Sequence, residues 1–225
     1  MPNQISLLDE LRAQYEAARK SPHDQADVPG FQEIDKQLRT AYRWLERAFA
    51  YLDGLKPPIE HRFDLGHGLV FAAPRFEQGF VGQHEQRIVG YPVLDEINIS
   101  YSIVAAAPLT IEVAPGSAAA AEKVLDDAGL QYTAHRAEDQ SGVVRKCAIV
   151  VPPTIPAAIS FRADYRTGVV QISLLNVDRL ERVSLAFQSA AINETVLEDL
   201  VRLVLGRSTA FLRRAPLIGI HGQPA

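Results

Sequence analysis

The stretch HRFDLGHGLVFAAPRFEQGFVGQHE, residues 61–85, concentrates the groups best able to do chemistry: His61, His67 and His84, with Asp64 and Glu85 among them. Imidazoles and carboxylates are the ligand types of a divalent-metal site, which needs three or four of them to converge. The spacing argues against that. On a strand His61 and His67 share a face while Asp64 points to the other, and Gly66 and Gly68 make a continuous strand doubtful there. No compact anchor such as HExxH or CxxC is present. His84 and Glu85 could complete a site only if a turn folded them back. Surface or hydrogen-bonded histidines are the preferred reading, with His61, His67 and His84 kept as weak metal candidates and no cofactor expected.

Other catalytic devices are as sparse. The chain has no G-x-S-x-G elbow, no Walker sequence and no G-x-G-x-x-G. Pro115–Ser117 reads as an ordinary helix start rather than an anion cradle. LGHG lacks the following helix of a dinucleotide fingerprint. The single cysteine, Cys147, sits in an apolar run, the setting of a buried, inert thiol. Adjacent acids on a helix diverge by about 100° and are normally solvated. Of the pairs Asp95–Glu96, Asp126–Asp127 and Glu198–Asp199, only the first, ahead of a strand, could reach a cleft. An enzyme would have to draw on His61, His67, His84 or Asp95 and Glu96, and this stands as the third reading of function.

The most credible polar interaction patch is GRSTAFLRRAP, where Arg207, Arg213 and Arg214 surround Phe211. Guanidinium forks suit carboxylates or phosphates of a partner. The plainer explanation, which we favour, is that cations gather where a helix ends because that end is negative. Trp44, Tyr91 and Tyr101 could line a pocket between a helix and a sheet, although each residue type is more often core.

These groups must be held by elements whose periods are legible. Phe31, Ile34, Leu38, Ala41, Leu45, Ala48, Leu52 and Leu55 recur in steps of three and four, which predicts one long helix with an apolar seam. Tyr42, Trp44 and Phe49 widen that seam beyond a two-stranded stripe. Leu8, Leu11, Tyr15 and Ala18 repeat the spacing, and SPHDQADVPG connects the two segments. A helical hairpin within the chain and a coiled-coil-like pairing between two copies both satisfy the pattern. Pro57 and Pro58 end the helix.

Beyond them the period becomes two. Ile97, Ile99, Tyr101 and Ile103 alternate with Asn98, Ser100 and Ser102; Ile159, Phe161 and Ala163 alternate with Ser160 and Arg162; Val170, Ile172 and Leu174 continue the habit. Strands with one dry and one wetter face belong to antiparallel sheets. Ser117 and Gly129 bracket a helix near 117–128, and Asn193 and Gly206 bracket another near 194–206.

The fold expected is therefore α+β: a helical arm over residues 1–57, packed partly on a domain over 58–225 that has a mostly antiparallel sheet of seven to nine strands and two further helices. A chain of 225 residues with 47% hydrophobic residues can bury a sizeable core. A formal net charge of −4 gives no global attraction to nucleic acid. No basic leader with an apolar core, no membrane-spanning run and no disulfide-forming pair are seen, which predicts a soluble cytoplasmic protein. The leading expectation is a non-enzymatic interaction or adaptor protein with a protein partner, or with itself as a homodimer through the arm. The alternative is a small-molecule binding module with a pocket between sheet and helix.

Overall fold

The computed structural model describes residues 28–65, 69–88, 90–140, 142 and 144–222. The first apolar segment, Leu8 to Ala18, and His67 lie outside the described residues. In chain order the elements are α1 (Val28–Leu55), β1 (Arg75–Ile88), β2 (Tyr91–Val104), β3 (Leu109–Val113), α2 (Ala118–Asp127), β4 (Thr133–Glu138), β5 (Val144–Val151), β6 (Thr154–Asp164), β7 (Val169–Leu175), β8 (Glu181–Gln188), α3 (Glu194–Val204) and β9 (Leu217–Gly222). The architecture is α+β, as expected, and every strand pairing is antiparallel.

The strands divide between two sheets, where the sequence suggested one. Six form the main sheet in the order β1-β2-β6-β7-β8-β9, and three form a small sheet in the order β3-β5-β4. The reason lies at the end of β2. Val104 pairs with Thr154 of β6, so everything between them is an insertion issuing from one end of a strand pair. The Ala105 amide donates to the Pro153 carbonyl at 2.7 Å and closes its neck. Inside the insertion α2 ends as its composition demands. Leu130 donates to the Leu125 carbonyl and Gly129, at φ +65°, to that of Asp126, the paired bonds of a Schellman cap.

The described part of the helical arm, α1, forms a layer of this fold and packs on the sheet as expected. Phe31, Ile34, Leu38, Ala41, Leu45, Phe49 and Leu52 of α1 are buried, and all but Phe31 belong to one core cluster with the sheet. The seam that resembled a coiled coil thus faces the protein's own sheet. Two of its expected members are displaced, because a straight helix follows a period of 3.6 and drifts away from a 3.5-residue seam. Phe49 takes the buried place expected for Ala48. Leu55 lies about 80° from the centre of the buried arc at 100° per residue and is 76% exposed. Lys56 follows at φ +46°, and the two prolines then prevent continuation.

Residues 57–65 and 69–74 form a buttress between α1 and β1. Ile59 donates to Pro74, Phe71 to Phe63 and Leu65 to Leu69, so the two arms of the excursion pair across Phe63 and Phe71, both fully buried. The buttress also meets α3. Asn193 caps that helix by accepting the Val196 amide at 3.1 Å, and Gly206, at φ +76°, ends it. A side chain at Gly206 would strike the backbone of Glu60 and His61, so glycine is required there by both conformation and space.

Candidate functional site

Alternation divides the main sheet into a face that carries the core and a face that nothing in the described chain covers. Ile97, Ile99, Tyr101 and Ile103 of β2, Ile159 and Phe161 of β6, Ile172 and Leu174 of β7, and Leu185 and Phe187 of β8 point into the core. The residues between them form the open face, and the strand register sets them in rows.

The middle row runs Gly82, Asn98, Ser160, Ser173, Ser184 and Gly219, each paired with the next across neighbouring strands. On one side lies the row His84, Glu96, Arg162, Gln171; on the other lies Phe80, Ser100, Ala158, Leu175, Arg182. Small residues in the centre and longer ones around them leave a concavity of about 560 Å³. Its floor sets the hydroxyl and amide groups of Asn98, Ser100, Ser160, Gln171 and Ser173 beside the hydrocarbon of Ala158 and Leu175.

The rim has two chemical characters. Phe80 is 67% exposed, and its ring lies over Gly82, where a Cβ would come within 3.0 Å of it. The absence of a side chain at Gly82 therefore makes room for an aromatic ring at the edge of the groove. Glu96 and Arg162 are cross-strand partners, 3.5 Å apart at their closest atoms. Arg182 is exposed, and no acid among the described residues pairs with it. Ser173 on the floor shares a hydrogen bond of 3.0 Å with the buried Ser184 beside it, which leaves further capacity on the Ser173 hydroxyl.

A bulge between His84 and Glu85 sits at one end of the groove. It re-aims Asp95, which accepts a bond from Gln86 at 2.8 Å and approaches His84 Nδ1 to 3.6 Å. Behind it α1 clamps the strand: the Asp35 carboxylate accepts the Leu94 amide at 2.7 Å and the Arg39 guanidinium at 2.8 Å, while Tyr165 donates to the Leu94 carbonyl. Bonds to Asp35 and Glu85 raise Arg39 above its ordinary pKa, and burial raises the Tyr165 phenol. This end of the sheet is held rigidly.

The structure places His61 and His84 in different surroundings. His61 donates from Nε2 to the Leu203 carbonyl in the last turn of α3 at 2.5 Å, the use of an imidazole as a helix terminator. His84 stands at the sheet's bulge, with its side chain 66% exposed. Among the described residues no three histidine, cysteine or acidic side chains group as a metal site. The acids Asp95 and Glu96 do share their neighbourhood with His84, the one convergence among the described enzymatic candidates of the sequence.

The C-terminal arginine patch is reorganised. Phe211 is fully buried and stacks on Phe187 with ring centroids 5.3 Å apart, so it offers no surface to a partner. Arg214 is drawn onto Asp199 at 2.5 Å, and Arg202 binds the same carboxylate at 3.1 Å. The bond from Arg214, ahead of the others, holds the Asp199 carboxyl below the usual carboxylate range. Arg207 lies 3.6 Å from Glu60. Only Arg213 is exposed without an acidic partner among the described residues of this patch. Trp44 is half-buried between α1 and α3, its indole N–H donating to Glu194 at 3.2 Å.

A second, smaller cleft of about 250 Å³ lies between α2, β3 and the buttress, lined by Leu65, Leu69, Ile111 and Val124. It is apolar, with Ser117 as its polar element. No helix of the described residues is long and apolar enough to cross a membrane. The groove residues were visible in the sequence as the wetter positions of strands, but which of them meet depends on strand order. No protein-family profile matches the chain, and no curated protein or solved structure matches it either.

Proposed function

We propose that the protein is a binding module that recognises a small polar ligand on the open face of its six-stranded sheet. The observation that carries this reading is the groove of about 560 Å³, whose floor is set with hydrogen-bonding side chains. The volume lies within the range of small-molecule sites, roughly 300–1,000 Å³. A solvated antiparallel face alone is ordinary; a concave one with a small-residue floor, a rim aromatic and a guanidinium that no acid pairs among the described residues has more to offer a ligand.

The geometry favours this face over the two surfaces that the sequence brought forward. The seam of α1 is covered by the protein's own sheet, and Phe211 is in the core. A second reading, acid–base chemistry at the rim, draws on the approach of His84 to Asp95 with Glu96 in the same row.

The test is amide chemical-shift mapping of the labelled protein against a broad set of polar metabolites and short oligomers. Shifts clustered on the open-face residues of β2, β6 and β7 are the expected result. A set of binders whose shifts cluster instead around α2 and β3, or no binder at all, would refute the reading. Turnover of a bound compound that disappears in His84→Ala would establish the enzymatic alternative.

A further inference from the structure

We infer that the ligand class of this groove is an acidic saccharide, a short sugar chain bearing a carboxylate; the inference rests on the binding reading above. Three features of the groove converge on it. The first is the donor and acceptor character of its floor. Asn98, Ser100, Ser160, Gln171 and Ser173 each both donate and accept hydrogen bonds. Sugar hydroxyls also do both, so every such group can be satisfied in a shared network. A phosphate or a simple carboxylate only accepts, and would leave the acceptor half of this floor unused.

The second feature is charge. The ionised residues lining the groove are Glu96, Arg162 and Arg182. Glu96 faces Arg162 across the strands at 3.5 Å, and Arg182 has no acidic partner among the described residues. The groove is thus locally positive by one charge in a chain of formal net charge −4. Arg182 offers a planar fork that matches one carboxylate in bidentate fashion. It stands at the far side of the hydroxyl floor from Arg162, so an acidic group bound there leaves the body of the ligand over the serine row.

The third feature is Phe80. One exposed ring at the rim gives an apolar platform for the C–H face of a sugar ring. Single-stranded nucleic acid needs several aromatic platforms along a positive track, and this groove has one among the described residues. An apolar ligand would strip water from the floor without replacing its hydrogen bonds, at a cost.

The experiment titrates the full chain with matched trisaccharide sets, neutral, uronate-containing and sialylated, read by amide chemical shifts and calorimetry. The expected result is shifts on β2, β6, β7 and β8 with at least one acidic set binding roughly tenfold or more tightly than its neutral counterpart. Arg182→Ala should remove most of that preference while the neutral sugars keep their affinity. Arg213→Ala, an exposed arginine outside the groove, should change nothing. Equal binding of neutral and acidic sugars, or an unchanged preference in Arg182→Ala, would overturn the assignment of the carboxylate. If no saccharide binds while other polar compounds shift the open face, the ligand class is wrong and the binding reading survives. If nothing shifts that face, both fall.

Discussion

The two faces of the main sheet are built from the same strands and differ only in which alternate residues they show. On one face Ile97, Ile99, Phe161, Ile172, Leu174 and Leu185 are 0–1% exposed beneath α1 and α3. On the other, Asn98 and Ser100 are exposed and Ser160 and Ser173 half-exposed. A methylene added to or removed from the first changes packing at interior density, whereas the second meets solvent. Stability and recognition are therefore separable in this protein, one residue apart along each strand.

Substitutions can break that comparison, and the largest effects belong to the packed face. Phe161→Ala empties a fully buried site beneath the helices and is expected to lower unfolding free energy by about 3–5 kcal/mol. Urea denaturation measures it; a loss below about 1 kcal/mol would show that the covered face is not the core. Next come the two helix-ending glycines, which share a left-handed conformation and differ in surroundings. A Cβ on Gly129 would meet nothing within 4 Å, while one on Gly206 would stand 2.5–2.9 Å from the Glu60 and His61 backbone. Gly129→Ala should cost about 1–2 kcal/mol from conformation alone. Gly206→Ala should cost clearly more, because α3 must shift away from the buttress. Equal losses in the two variants would mean that the junction of α3 with residues 60–61 is loose.

Much of this division is legible in the amino-acid sequence. The period-two runs of β2, β6 and β7 assign each residue to its face correctly, since side-chain direction in a strand follows from local geometry alone. Ser117 and Gly129, and Asn193 and Gly206, bracket their helices for equally local reasons, although the Ser117 side chain makes no capping bond. That the sheet covers part of the α1 seam is legible from the width of its apolar face, whereas whether a second helix shares that cover is not, because an amphipathic stripe asks for cover without naming all of it. Nor is the groove. Asn98 and Ser160 are 62 positions apart and meet only because the insertion carries the chain away and back. Phe211 misleads for a related reason: its arginine neighbours suggest a surface, while contact with Phe187 decides its burial.

A titration separates the faces on a smaller scale. Tyr101 lies on the packed face, stacked on Phe76 at 5.0 Å, and its hydroxyl has no hydrogen-bond partner among the described residues. Burial, ahead of the nearby Asp178 charge, raises its phenol well above the ordinary value of 10.0. The folded state therefore keeps the proton after the unfolded chain has lost it. That contribution to stability is complete below about pH 10 and declines as pH rises beyond it. Tyr101→Phe should match or exceed the parent stability at pH 7, since it removes a buried hydroxyl without a partner. It should also flatten the alkaline fall in melting temperature. A variant that is less stable at pH 7 and falls as steeply would place that hydroxyl in a bond or in water. Asp199 gives the opposite sign. Its lowered carboxyl stabilises the fold above the unfolded pKa of about 3.9 and loses that contribution as pH falls further, so Asp199→Asn should remove part of the acid lability.

The smallest expected effect on stability is the most informative about function. Ser160 sits at the centre of the open face, between Asn98 and Ser173 in register, with no neighbour packed above it in the described chain. Ser160→Leu fills the middle of the groove from a position that carries no core contact, and unfolding free energy should move by no more than about 0.5 kcal/mol. Any ligand lying across the serine row must then lose its seat. Unchanged melting with lost ligand shifts would separate the two faces completely, since one substitution would have silenced recognition without touching the fold. A loss of stability comparable with that of Phe161→Ala would instead mean that a part of the chain outside the described residues already covers this face, and the groove would belong to the core.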